Sequence, residues 1–153
     1  MVRISDLHQA GQKGAEALEC PAFPGLQPVS PVAREQRKLA LVSSAGLVKR
    51  GDAPFKGGDA GYRVFDNTVA NEDILISHVS VNFDRTAAYR NIETIFPRQL
   101  SQQLVESGDI GAVAEEHYSF MGATDPKMME ETAAEAAQQM LAQGVNTAVL
   151  LPV

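Results

Sequence analysis

Two apolar runs constrain this chain more than any other feature: Leu39 to Val42 within KLALVSSAG (38–46), and Ala148 to Leu151 within NTAVLLPV (146–153). Neither alternates polar with apolar, so neither suits a strand with one wet face. Uninterrupted runs of this length fit parallel strands buried on both sides. The segments between them carry helix punctuation. PRQLSQQLVESG (97–108) opens on Pro97, closes at Gly108 and sets Leu100, Leu104 and Val105 on one face. Further on, Thr124 or Asp125 caps a longer helix, with Pro126 in its first turn and Glu130 and Glu131 at its positive end. Met129, Ala133, Ala136, Ala137, Met140 and Leu141 form its expected buried stripe, and Gly144 stops it. Further strands are expected at YRVF (62–65) and EDILISHVS (72–80), and a short helix within NFDRTAAYRNIETIF (82–96). LVKRGDAPFKGGDAG (47–61) is too rich in Gly, Asp and Lys for an element interior and reads as a long loop. Strand, helix and strand in alternation predict an α/β fold: a Rossmann-like, open, mostly parallel sheet with flanking helices, incomplete at its C-terminal side.

The first 37 residues are a poor core candidate. A helix is expected around Ser5 to Leu18, and Cys20 to Pro31 then carries four prolines, as in an extended arm. The division is an arm over 1–37 and an α/β domain over 38–153. At 153 residues the whole chain has material for a single core. Its net charge of −6 argues against a nucleic-acid partner. No apolar run reaches the roughly 20 residues of a membrane span, and the N-terminal segment lacks a signal-peptide core. A cytoplasmic protein is expected. The single cysteine, Cys20, cannot form an internal disulfide, which agrees with a reducing compartment. It reads as a partly buried small residue or as a redox nucleophile, the latter requiring a lowered thiol pKa that no adjacent basic residue supplies.

Three segments place polar groups where strands end. Ser43-Ser44-Ala45-Gly46 could let backbone amides approach an anion, or be ordinary strand-to-loop sequence. It has neither a phosphate-binding Gly-Lys-Ser/Thr nor the Gly-x-Gly-x-x-Gly spacing, so a standard nucleotide site is excluded. SHVSVNFDRT (77–86) holds His78, Ser80, Asn82, Asp84 and Arg85. In an extended chain His78, Ser80 and Asn82 share a face. Asp84 and Arg85 could hold the ammonium and carboxylate of a zwitterion, or pair structurally in a turn. EEHYSFMGATDP (115–126) sets His117 and Ser119 before a glycine and a helix start, a suitable place for an anion, or else alternates them with Tyr118 and Phe120 in a half-buried strand. No metal is expected, since His78, His117 and Asp84 lack ligand spacing, and no Gly-x-Ser-x-Gly elbow marks a serine hydrolase.

LALVSSAGLVKRGDAPF, GDAGYRV, SHVSVNFDRTAAYRNIETIFP, GDIGAVAEEHYSFMGATDP and GVNTAVLLPV, together with LECPAF in the arm, resemble the glycine/sarcosine/betaine reductase selenoprotein B and D-proline reductase family. The resemblance implies reductive cleavage of a C–N bond in a small amino acid or betaine-like substrate, with electrons from dithiols. It also implies a selenocysteine, or a cysteine in its place, just after the strand that TAVLLPV resembles, and a partner reductase subunit in some members. No catalytic residue or cofactor is then expected within 1–153; the redox residue is expected immediately after Val153, as if a UGA codon had been read as a stop. The substrate-binding set on this reading is His78, Asn82, Asp84, Arg85, His117 and Ser119, all predicted to meet in one cleft at the sheet edge. The leading function is a truncated subunit of such a reductase. The alternatives are a non-catalytic small-molecule or partner-binding module, and an unrelated enzyme using Cys20. A sheet with one uncovered edge also predicts a homo-oligomer.

Overall fold

The structure is a computed structural model, and it describes residues 3–17, 22, 25 and 29–153. Leu18, Cys20 and Pro21, Pro24 and Pro28 of the expected arm lie outside the described residues. The expected N-terminal helix is a 3-10 turn at Ile4–Asp6 followed by α1, Gln9–Glu16, which buries no residue.

The apolar run at 38–46 forms β1, Lys38–Ser43, the axis of the main sheet. One edge of β1 pairs in parallel first with β5, Ala112–Val113, and then with β6, Glu116–Phe120. Its other edge pairs in parallel with β7, Thr147–Leu151, from Leu39↔Thr147 to Ser43↔Leu151. A further strand, β3 at Tyr62–Asp66, lies antiparallel on the far side of β6. The result is an α/β fold with a mostly parallel five-stranded sheet flanked by helices, an open Rossmann-like arrangement. A 3-10 turn at Pro126–Met129, capped by the Asp125 side chain, leads into α4, Glu130–Ala142, which covers one face. There Ala136, Met129 and Met140 pack on Tyr118, Phe120, Val42, Tyr62 and Val64. The other face carries the larger core, with Leu39, Leu41, Phe65, Ile95, Phe96 and Ile110 packed together. It is closed by α3, Arg98–Glu106, and by the chain that precedes it, including α2 at Thr86–Arg90.

Four expectations are corrected. Segment 72–80 contains only a three-residue strand, β4 at Ile74–Ile76, and it pairs antiparallel with β2, Leu47–Lys49, in a separate ribbon. The start of the expected 47–61 loop is therefore a strand. On α4 the buried stripe is narrower than expected: Ala133, Ala137 and Leu141 are exposed because the helix turns Thr132, Ala136 and Met140 toward the sheet. Its rotation is fixed on the β3 side, where Gln139 donates to the Tyr62 hydroxyl and Thr132 to the Ala60 carbonyl. Leu100 is likewise exposed on α3, where Ser101, Leu104 and Val105 face inward.

Candidate functional site at the carboxyl edge of the sheet

In an open parallel sheet, ligands gather beyond the carboxyl ends of the strands. Here that rim is built by Ser43 to Gly46 after β1, Met121 and Gly122 after β6, and Pro152 and Val153 after β7. Close approach is built into it. A Cβ on Gly122 would lie 2.7 Å from the Ser44 carbonyl oxygen, and Gly46, at φ +61°, leaves room for Met121 and for the backbone of His78.

The rim is not an amide cradle for an anion, because each N–H from Ser44 to Leu47 already has an acceptor. They go to the Leu151 carbonyl (3.0 Å), Ser43 Oγ (3.2 Å), the Phe120 carbonyl (2.9 Å) and Ser119 Oγ (2.8 Å). Ser44 Oγ accepts from the Val153 N–H at 2.9 Å. Beside this rim lies an apolar hollow of about 320 Å³ lined by Val42, Ser43, Ser44, Phe120, Leu150, Leu151 and Pro152. The hollow leaves no mark of its own in the sequence, because the apolar residues at 148–152 and Val42 fit buried strands equally well.

The loop after β4 abuts the rim at Gly46. It is tied to the rim where Ser77 N–H donates to the Gly46 carbonyl at 2.8 Å. From there the chain turns instead of staying extended, since side chains catch the backbone two residues on. Ser80 N–H donates to His78 Nδ1 (3.1 Å), Asn82 N–H to Ser80 Oγ (3.2 Å) and Thr86 N–H to Asp84 Oδ1 (2.9 Å). Arg85 folds back over the loop, donating through Nη2 to the carbonyls of His78 (2.6 Å) and Ser80 (2.8 Å), and through Nη1 to that of Phe83 (3.3 Å). The expected zwitterion clamp is therefore not assembled: Asp84 is exposed and turned to Thr86, while Arg85 is spent on carbonyls. The Thr86 bonds hold the Asp84 carboxyl below the usual range. Asn82 is exposed. His78 is 8% exposed, with its ring edge-on to Phe83 at 5.1 Å. Burial, and then the Arg85 charge, push its pKa down.

His117 and Ser119 are both fully buried and do not join His78 in an open cleft. The reason is the break in the sheet between β5 and β6. The Leu41 N–H points at that gap, and His117 Nδ1 accepts it at 3.2 Å in place of a backbone carbonyl. Asn67 Nδ2 closes the same break by donating to the Ala114 carbonyl at 2.7 Å. Ser119 serves the next turn through Leu47 N–H. Burial and the nearby Arg98 charge lower the His117 pKa to about 4, so it is neutral at pH 7. Both residues back the site from within the core. Among the described residues, no group of three or more His, Cys, Asp or Glu side chains could hold a metal ion, and no helix is long and apolar enough to cross a membrane.

The family model for glycine/sarcosine/betaine reductase selenoprotein B (GRDB) matches residues 8–152. No curated protein and no solved structure matches the chain.

Proposed function

This chain belongs to the glycine/sarcosine/betaine reductase selenoprotein B family, and from that premise we propose that it binds a small amino acid derivative at the carboxyl edge of its sheet. The binding serves a selenocysteine-dependent reductase that breaks the C–N bond of the substrate, the nitrogen leaving as an amine while a dithiol is oxidised to a disulfide. The observation that carries the reading is the meeting of the β1, β6 and β7 ends with the loop 77–86 against Gly46. His78, Asn82 and Asp84 supply polar groups on that loop. Arg85 shapes it, and His117 and Ser119 support it from behind. The apolar hollow beside Ser44 would take the carbon or N-methyl part of a ligand. Reductases of this family are multi-subunit, so a partner subunit is the natural neighbour of this rim. The acidic chain would work in the cytoplasm.

The redox residue is another matter. The 153 residues contain one cysteine, Cys20, and no selenocysteine. By family resemblance the redox residue follows the segment that resembles 147–153. The second reading is a binding module without redox chemistry of its own, favoured by the single cysteine among these 153 residues. Calorimetric titration of the chain with glycine, sarcosine and betaine tests the shared part of both readings. Saturable binding of at least one supports it, and no heat from any of the three rejects it. Reading the coding sequence after the Val153 codon separates them. A UGA followed by an open frame supports the truncated reductase, and any other continuation favours the binding module.

A further inference from the structure

Two buried histidines in this protein are built alike. In His78, Nδ1 accepts the Ser80 N–H; in His117, Nδ1 accepts the Leu41 N–H. A ring nitrogen that accepts an N–H carries the lone pair, so in each neutral ring the proton resides on Nε2. Both Nε2 atoms are buried and have no hydrogen-bond partner among the described residues. A buried donor left without an acceptor is expensive and calls for an explanation. The surroundings of the two differ. His117 is fully buried in the middle of the sheet, with the Phe96 ring nearly perpendicular at 5.9 Å. His78 lies beyond the carboxyl end of β1, its backbone against Gly46, in a loop that Arg85 holds through the carbonyls of His78 and Ser80.

We propose that His78 is held as the neutral Nε2–H tautomer and donates that N–H to the carboxylate of the ligand bound at the carboxyl edge, with Arg85 as its positioning residue. The proposal rests on the ligand-binding reading above and names the group in the ligand that the site recognises. Glycine, sarcosine and betaine share a carboxylate and differ in methylation at nitrogen, so a donor to the carboxylate fixes the class without choosing among its members. Arg85 cannot clamp that carboxylate bidentately while its Nη2 holds two backbone carbonyls. It instead keeps the His78–Ser80 turn in the shape that occupies Nδ1, and lends the site a positive field. A neutral donor with a nearby cation suits an anion that must bind without a covalent or ion-pair trap.

Long-range nitrogen NMR of the histidine rings in the intact chain tests this. Without ligand, His78 is expected as Nε2–H at pH 7; an Nδ1–H tautomer or a doubly protonated ring would overturn the proposal. Betaine, and acetate as the bare carboxylate, should then move the His78 Nε2 resonance, while tetramethylammonium should not. If betaine or glycine binds, as read by calorimetry, and the His78 Nε2 resonance stays in place, the Phe83 ring is its partner. The proposal then fails while the ligand-binding reading stands. If nothing binds, both fail. His78→Phe should lose roughly tenfold or more in affinity, and His78→Gln, which keeps a side-chain N–H, should recover part of it. Equal losses in the two variants would count against the donor role. Arg85→Lys should weaken binding in the wild-type background and add nothing in the His78→Phe background, whereas independent losses would remove Arg85 from the positioning role.

Discussion

At the scale of single residues, His117 shows how a polar side chain can be dictated by a gap in a backbone ladder. The unfolded chain takes up its proton near 6.5 and the folded chain only near 4. The stability carried by the neutral ring is therefore full above pH 6.5 and drains away as pH falls toward 4. His78, lowered for the same leading reason, pulls in the same direction. We expect the urea midpoint to fall between pH 7 and 4.5. His117→Gln, whose side-chain oxygen can still accept the Leu41 N–H, should flatten that slope; an unchanged slope would assign the titration elsewhere. Gly46 and Gly122 make a second residue-scale prediction. A Cβ on Gly46 would meet Met121 Cε at 2.8 Å with the backbone at φ +61°, and one on Gly122 would meet the Ser44 carbonyl oxygen at 2.7 Å. Each Gly→Ala change should cost about 1–3 kcal/mol in urea unfolding, with the loss showing first at the rim in hydrogen exchange. The histidines and Ser119 were legible as polar residues near strand ends. Their division into a rim residue and core residues was not, because burial depends on the break between β5 and β6, which no residue type marks in the sequence.

At the scale of elements, the continuous apolar runs were legible because burial on both faces leaves no room for alternation; β1 and β7 fell where those runs predict. Segment 72–80 misled for a local reason. Its residues pattern as a strand, but His78, Ser80 and Asp84 each hold the backbone two positions on, and a chain so tied cannot stay extended. The stripe on α4 misled for another. Alanine is compatible with either face, so Ala133 and Ala137 carry no information about rotation; Gln139 and Thr132, through their bonds to the β3 side, do. Ala136 is 1% exposed beneath Tyr118 and Phe120, whereas Leu141 is 63% exposed. Ala136→Leu should therefore destabilise by about 1–3 kcal/mol, and Leu141→Ala should stay within about 0.5 kcal/mol. Reversed magnitudes would mean that α4 is rotated from the position described.

At the scale of the whole molecule, β7 is the exposed flank. Its outer edge pairs with no described strand, Leu150 is 72% exposed, and residues 145–153 carry no charged side chain. Edges in proteins that stay monomeric are commonly guarded by charge or proline. We expect the isolated chain to associate in a concentration-dependent way in sedimentation velocity, and Leu150→Lys to shift it toward monomer. A chain that sediments as a monomer at every concentration would contradict this. The main sheet also fixes an order of events. Lys38 N–H bonds to the Asn146 side chain 108 residues downstream, and every β1–β7 pair spans a similar separation. The first strand of the sheet to leave a ribosome is thus the last to be completed. At a synthesis rate of about 5–20 residues per second, the apolar run at Leu39 to Val42 waits roughly 5–20 s with one edge open. A nascent chain of this protein should be a client of holding chaperones until β7 emerges, however quickly the finished sheet then closes.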